Sequence, residues 1–289
     1  MKVLVTGVTG QLGFDVVKEF KSRGLSTIFA PTTDELDITN EANVKEYITK
    51  VEPNVVIHCA AYTSVDKAEL DNEACYKVNS LGTKYIAEAC KEIDAKLIYI
   101  STDYVFDGTK NGVYEINDKT NPISTYGLTK YQGELFVKEI LTKYFIVRIS
   151  WVFGINGNNF VKTMLRLANM GKTELNVVCD QVGSPTFTAD LAKLLYEMSC
   201  SESYGTYHAT NEGFCSWYDF AKMIFEKANL DVKINPVTTD EYLKMVTQQA
   251  KRPKNSKMSK ERLSLAGFNR LPSFEDAVDR FLKEFEYNG

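Results

Sequence analysis

Short, almost continuously apolar runs alternate with longer amphipathic stretches through the first half of the chain. The runs Lys2–Thr6, Thr27–Ala30, Val55–Cys59, Lys96–Ser101 and Tyr144–Ile149 predict strands buried on both faces. A stretch from Gly10 to about Lys21, and others over Glu41–Val51, Asn72–Ile93 and Ser124–Leu141, are long enough for helices. Such alternation predicts an α/β fold: a Rossmann-type, doubly wound parallel sheet, whose ligands lie at the carboxyl ends of its strands.

After Trp151 the pattern changes. Helical periodicity over Asn159–Met170, Thr188–Cys200, Ser216–Asn229 and Ser273–Phe285 is broken by polar loops containing Gly, Pro and Asn. Residues 1–150 are therefore expected to form a dinucleotide-binding domain. Residues 151–289 are expected to form mainly a smaller substrate-binding lobe, interleaved with the sheet. No internal repeat or low-complexity segment is visible.

Composition removes several function classes. A net charge of −4 supplies no global basic field, so nucleic acid is not an expected partner. No uninterrupted apolar stretch approaches the ~20 residues of a bilayer span, so no membrane partner is expected either. The cysteines, at 59, 75, 90, 179, 200 and 215, include no CxxC pair, which speaks against a thiol metal site or a disulfide scaffold. Cys59, inside an apolar run, reads as a core residue. The chain opens directly on Lys2-Val3-Leu4-Val5 with no signal sequence ahead of it. A cytoplasmic location is expected.

The first chemistry lies at the first turn. Strand Lys2–Thr6 runs at once into Gly7-Val-Thr-Gly10-Gln11-Leu12-Gly13 and a helix. Glycines in that spacing permit a tight turn, close approach of a pyrophosphate to the backbone, and close helix–strand packing. An acidic residue about 20 positions on commonly bonds the adenosine ribose. Here Thr32-Thr33 stand in that place, followed by Asp34. No carboxylate is firmly placed to repel a 2′-phosphate and no arginine to clamp one, so NADPH and NADH both remain open. Asp37-Ile38 would suit the adenine edge, or form a surface turn.

The second is a Tyr–Lys pair. Strand Lys96–Ser101 leads into Thr102-Asp103-Tyr104, and Tyr126-Gly-Leu-Thr-Lys130 follows. Tyr126 and Lys130, at i and i+4, share one helical face. A phenol is a poor acid near neutral pH unless an ammonium stabilises its phenolate. Lys130 can also bond a nicotinamide ribose, and Thr102, at a strand end, can bond the same carbonyl oxygen as Tyr126. The basic run Lys251-Arg252-Pro253-Lys254 reads as either a solvated loop or a local anion site.

Together these motifs resemble the extended short-chain dehydrogenase/reductase superfamily and, within it, the dTDP-4-dehydrorhamnose reductase family. The resemblance covers nearly the whole chain. Its most specific blocks are Ala60-Ala-Tyr-Thr-Ser-Val-Asp-Lys-Ala-Glu69 and Arg148-Ile-Ser-Trp-Val-Phe153. Gly157-Asn-Asn-Phe160, Asp180-Gln-Val-Gly-Ser-Pro-Thr186 and Arg252-Pro-Lys-Asn-Ser256 extend it. The resemblance implies hydride reduction of the 4-keto group of dTDP-4-dehydro-6-deoxy-L-mannose to dTDP-L-rhamnose. Tyr126 would be the proton donor, Lys130 its support, and Thr102 would tune its pKa. Gly10, Gln11 and Leu12 would hold the cofactor pyrophosphate, Asp37 and Ile38 the adenine. Ala60, Ala61, Tyr62 and Thr63 would line the cofactor toward its ribose. Val65, Thr102, Asp103 and Trp151 would contact the dTDP-sugar, with Gln181, Arg252 and Asn255 at the nucleotide or its diphosphate.

The chain departs from the family pattern in two places. The usual Asp-Arg pair after the second strand is absent. Some members carry an interface magnesium held by glutamates, but Asp15 and Asp190 do not reproduce that set, so no metal is expected. Homodimerisation is left open. Two other readings remain: a nucleotide-sugar epimerase or dehydratase on the same scaffold, and a non-catalytic NADP-binding regulatory subunit. Against a dehydratase, Thr102 is followed by Asp103 and Tyr104 rather than by an Asp-Glu pair.

Overall fold

The computed structural model describes residues 1–247 and 250–285, so residues 248–249 and 286–289 of the expected second lobe lie outside it. The chain opens with β1 (Val3–Thr6), α1 (Gln11–Ser22), β2 (Ile28–Phe29), α2 (Glu41–Val51) and β3 (Val55–His58). Helices α3 (Val65–Ala68) and α4 (Asn72–Tyr76) follow, and α4 runs through a π-helical turn, Lys77–Leu81, into α5 (Gly82–Glu92). Then come β4 (Lys96–Thr102), a 3-10 turn over Asp103–Val105, α6 (Thr125–Ile140) and β5 (Tyr144–Ile149). The chain continues through β6 (Val152–Phe153), α7 (Phe160–Asn169), β7 (Glu174–Val178), β8 (Val182–Gly183) and β9 (Thr186–Phe187). Next are α8 (Thr188–Ser199), β10 (Gly205–His208), β11 (Cys215–Ser216), α9 (Trp217–Lys227) and β12 (Lys233–Val237). Short helices α10 (Thr239–Leu243) and α11 (Glu261–Leu265) precede α12 (Phe274–Glu284).

The central sheet has strand order β10-β5-β4-β3-β1-β2, all parallel. Period-2 alternation sends alternate side chains to opposite faces. Val3 and Val5 of β1, Ile98 and Ile100 of β4, and Val147 of β5 meet α1 and α8 on one side. Leu4, Leu97, Tyr99 and Ile146 meet α2, α5 and α6 on the other. Burial on both faces is why these strands read as unbroken apolar runs. A third core, around Phe153, Phe187, Phe220 and Phe281, belongs to the later segments. No described helix is long and apolar enough to cross a membrane.

Five strands of the sheet and the helices α1, α2, α4 through α5, and α6 lie where the hydrophobic pattern put them, with differences that have local causes; the short α3 was not expected. Gly10 and Ser124 cap their helices rather than joining them; Ser124 Oγ accepts the Gly127 N–H at 3.2 Å. The expected strand Thr27–Ala30 shrinks to Ile28–Phe29, since it lies at the sheet edge and pairs only with β1. The expected helix Asn72–Ile93 contains the π-helical turn, where Asn79 reaches Tyr62: its Nδ2 donates to the Tyr62 carbonyl at 3.1 Å. The sixth strand, β10, comes from residues after Trp151 and pairs with β5. The short strands of the later half, two to five residues each, were not visible as apolar runs.

Candidate active site

A cavity of about 830 Å³ opens at the carboxyl ends of β1, β3, β4 and β5. That volume lies in the range of small-molecule and cofactor sites. Its floor is the glycine turn. Gly7 has φ +70, and a Cβ there would lie 2.6 Å from the Ala60 nitrogen. A Cβ on Gly13 would sit 2.3 Å from the Gly7 carbonyl oxygen. Both positions therefore require glycine, and α1 is left with unbonded amides facing the cavity. Asn156 Nδ2 donates to the Thr9 carbonyl at 2.8 Å, and Asn159 Nδ2 donates to Gln11 Oε1 at 3.0 Å. The Asn-rich loop before α7 thus braces the turn.

Helix α6 presents Tyr126 and Lys130 to the same cavity. Its buried stripe, Gly127, Lys130, Gly133, Glu134 and Val137, follows helical spacing toward the sheet. Close approach is possible because residue 127 is glycine: a Cβ there would lie 2.3 Å from the Tyr104 carbonyl oxygen. The Tyr126 ring meets Tyr104 edge-on at 5.4 Å. Burial pushes the Tyr126 phenol above its ordinary value, while the Thr102 hydroxyl works against that rise. Burial pushes the Lys130 ammonium down to about 7, opposed by the negative charge of Glu134. The Lys130 Nζ stands 4.1 Å from the centroid of the Tyr99 ring.

Thr102 ends β4 at the cavity wall. Its hydroxyl donates to Asp103 Oδ1 at 3.0 Å and accepts the Tyr104 N–H at 3.2 Å. Asp103 Oδ2 accepts from Ser256 Oγ at 2.5 Å. Burial pushes the Asp103 carboxyl up to about 6 against the hydrogen bonds from Ser256 and Thr102.

Behind these groups is a buried ion pair. Arg148 Nε and Nη2 donate to Glu134 Oε1 and Oε2 at 2.8 and 2.7 Å. Ser101 Oγ donates to Glu134 Oε1 at 2.7 Å. Arg148 Nη1 lies 3.5 Å from His208 Nε2 and His208 Nδ1 lies 3.2 Å from the Ser259 carbonyl, which fixes Nδ1 as the donor. Catalytic-helix candidate α6, strands β4, β5 and β10, and the C-terminal segment are thereby tied together.

Of the residues singled out in the sequence, Gly7, Gly10, Gln11, Leu12 and Gly13 line the cavity, as do Asp37, Ile38, Ala60, Ala61 and Thr63. Val65, Thr102, Asp103, Tyr126, Lys130 and Trp151 line it too. Trp151 adopts φ 50, a left-handed conformation unusual for tryptophan. It stacks on Trp217 at 3.6 Å, and Gly183 leaves room for its ring.

Four of the residues singled out lie outside the cavity lining. Tyr62 is not in the cavity lining; its backbone N–H is held by Asn79 Oδ1 at 2.8 Å. Gln181 is buried away from the cavity and donates to Thr239 Oγ1 at 3.1 Å. Asn255 uses its amide to close a loop, donating to the carbonyls of Lys110 and Gly112 at 2.7 Å each. Arg252 also lies behind the lining. Its Nη2 donates to Asp66 Oδ2 at 2.8 Å and its Nη1 to Tyr104 OH at 3.1 Å. The sequence reading in turn passed over Tyr104, Trp217 and Ser256. Tyr104 stands beside an expected site residue and was the one legible signal. Asp15 and Asp190 are also committed elsewhere: Asp15 accepts from Thr188, and Asp190 accepts two hydrogen bonds from Arg280. Among the described residues no cluster of His, Cys, Asp and Glu is placed to hold a metal ion.

The model of the RmlD substrate binding domain matches residues 1–287. A dTDP-4-dehydrorhamnose reductase from Aggregatibacter actinomycetemcomitans is 42% identical over 268 residues, covering 88% of this chain and 89% of that protein. The structure of a dTDP-4-dehydrorhamnose reductase from Clostridium acetobutylicum superposes with TM-score 0.95 at 42% identity, over 99% of this chain and 100% of that one. That of a dTDP-4-dehydrorhamnose reductase from Bacillus anthracis, in complex with NADP, gives TM-score 0.93 at 44% identity, over 98% of this chain and 100% of that one. Matched along almost its entire length, this chain belongs to the RmlD substrate binding domain family.

Proposed function

We propose that the chain is an NAD(P)H-dependent reductase that converts the 4-keto group of dTDP-4-dehydro-6-deoxy-L-mannose to the alcohol of dTDP-L-rhamnose. One observation carries the reading: the glycine turn and the Tyr126–Lys130–Thr102 group share a single cavity. Relatives along the full chain that bear the reductase name, one of them in complex with NADP, support it.

The turn fits a dinucleotide, because any side chain at Gly7 or Gly13 would collide with backbone. Gly10, whose own N–H closes the turn on the Gly7 carbonyl at 3.0 Å, and the amides of Gln11 and Leu12 border the pyrophosphate; Asp37 and Ile38 border the adenine; Ala60, Ala61 and Thr63 face the riboses. Gly13→Ala is expected to weaken dinucleotide binding at least about tenfold by displacing Gly7. Isothermal titration of the variant with NADPH and NADH checks this, and unchanged affinity would contradict it.

When bound, the reduced nicotinamide supplies the hydride. Tyr126 donates its phenolic proton to the oxygen that becomes the C4 hydroxyl. Burial keeps that phenol protonated at neutral pH, ready for the reductive direction. The phenolate left behind is costly in a buried site, and the Lys130 ammonium and Thr102 hydroxyl stabilise it. Val65 and Trp151 bound the sugar. Arg252, which is bonded to the cavity-lining Tyr104, would leave Tyr104 and Asp66 to meet the diphosphate. A remote diphosphate contact of that kind supplies binding energy that orients the ketone.

The burial of Lys130 gives a stability prediction. Its folded pKa, about 7, lies below the ordinary 10.5, so between these values the unfolded chain binds a proton that the folded chain lacks. Stability from this group therefore rises with pH across that window, and the penalty is largest at and below pH 7. Lys130→Met should raise the Tm of the cofactor-free protein at pH 7 by roughly 3–6 °C, or ~1–2 kcal/mol, while damaging turnover. Only part of the shift is recovered because the ammonium faces a cavity that water enters. The gain should fade toward pH 10, and thermal melts at both pH values test it.

A coupled assay supplying the dTDP-4-dehydro-6-deoxy-sugar with NADPH or NADH tests the activity. Substrate-dependent loss of reduced cofactor with formation of dTDP-L-rhamnose is expected. Turnover with tightly held NAD⁺ and no added reductant would point to an epimerase. No turnover, with stable capture by a partner enzyme, would point to a regulatory subunit.

A further inference from the structure

We infer that Glu35 is a specificity-determining residue for the nicotinamide cofactor, acting against the 2′-phosphate of NADPH by occupying the donors beside it. The inference rests on the cofactor reading above and concerns the adenosine end of the same cavity.

In a sheet of this kind the adenosine ribose lies against the loop that follows β2. Here that loop lines the cavity with Thr32 and Thr33. Thr32 has two donors to offer a 2′-phosphate, and both are taken. Its backbone N–H donates to Glu35 Oε2 at 2.8 Å, and its hydroxyl donates to the same oxygen at 3.1 Å. The Glu35 N–H closes the turn on the Thr32 carbonyl at 3.2 Å. The carboxylate that the sequence did not firmly place at this position is thus supplied three residues later, folded back over Thr32.

Charge at this end favours a hydroxyl over a phosphate. Asp37 also lines the loop, its Oδ1 held by the Thr39 N–H at 2.9 Å and the Thr39 hydroxyl at 2.7 Å. Among the described lining residues Lys130 is the only Lys or Arg. Its neighbour Tyr99 is on β4, separated from β2 by β3 and β1 in the sheet. At about 4.8 Å per strand step that is roughly 14 Å, beyond a Debye length at physiological salt. A 2′-hydroxyl carries a proton that Glu35 can accept. A 2′-phosphate carries up to two negative charges and must compete with that carboxylate for Thr32.

The test compares dissociation constants for NADPH and NADH with the wild-type chain and Glu35→Gln, read by titration calorimetry without sugar substrate. Glutamine keeps an oxygen acceptor for Thr32, so the turn is retained and only the charge is lost. The variant should bind NADPH about tenfold more tightly, as expected for removing one exposed like charge near a phosphate. Its affinity for NADH should change by less than about threefold. A second measurement needs no variant. In the wild type, raising ionic strength should lower the ratio of the NADPH to the NADH dissociation constant, since salt screens the repulsion. Equal shifts for both nucleotides, no shift for either, or a ratio that does not fall with salt would overturn the role of Glu35. Failure of both nucleotides to bind the wild type would overturn the cofactor reading itself, and this inference with it.

Discussion

Tyr126→Phe is expected to lower kcat by roughly 10²–10⁴-fold, the usual contribution of a positioned general acid. The cofactor dissociation constant should stay within about twofold, because only the proton donor is lost. The ring itself packs edge-on against Tyr104 at 5.4 Å, a contact phenylalanine preserves. The cavity wall and the turn beneath it should therefore be unaltered. Steady-state kinetics beside a cofactor titration separate the two effects. Full activity in the variant would remove Tyr126 from the mechanism, whereas loss of cofactor binding would mean that the residue shapes the cavity instead.

The second large effect concerns stability. Arg148→Met leaves the Glu134 carboxylate buried without its two-pronged partner, and His208 without its donor. Breaking a buried pair from one side costs about 3–5 kcal/mol, which in a chain of this size lowers Tm by roughly 10 °C. Its pH dependence has a definite sign. Burial pushes the Glu134 carboxyl up, but Arg148, Lys138 and Ser101 together hold it below its ordinary value. The native pair thus stabilises the fold above the ordinary carboxylate range, and that contribution is lost as pH falls through the depressed value. In the variant the carboxyl rises instead, so the deficit should be greatest near neutral pH and shrink on acidification. Adding Glu134→Gln to Arg148→Met should restore part of the loss, which a double-mutant cycle of thermal or urea melts would measure. An equal deficit at every pH would show that packing, not the unpaired charge, accounts for the loss.

Much of the sheet was legible because its strands are covered on both faces and so read as apolar runs. The glycine turn and the Tyr126–Lys130 spacing were legible because local geometry demands those residue types: only glycine fits beside Ala60, and i to i+4 is one helical face. What escaped was non-local. Strand β10 holds polar Thr206 and His208 and is recruited to the sheet by its pairing with β5. Nothing near Glu134 in the chain announces Arg148, fourteen residues on, as its partner. Gln181 and Asn255 carry amides that suit a nucleotide and equally suit internal contacts: here Gln181 donates to Thr239 at the start of α10 and Asn255 to a loop. Glu35 escaped because its carboxylate reaches backward over a turn, to a position three residues before its own.

The most direct measurement follows a label. NADPH carrying deuterium at the transferred position of nicotinamide C4 would be supplied with the dTDP-4-dehydro-6-deoxy-sugar, and the product read by proton and deuterium NMR. The account predicts one deuteron, bonded to C4 of the 6-deoxy sugar, with an equivalent amount of cofactor oxidised. Product formed without deuterium at C4, or cofactor left unoxidised while the sugar is converted, would contradict it.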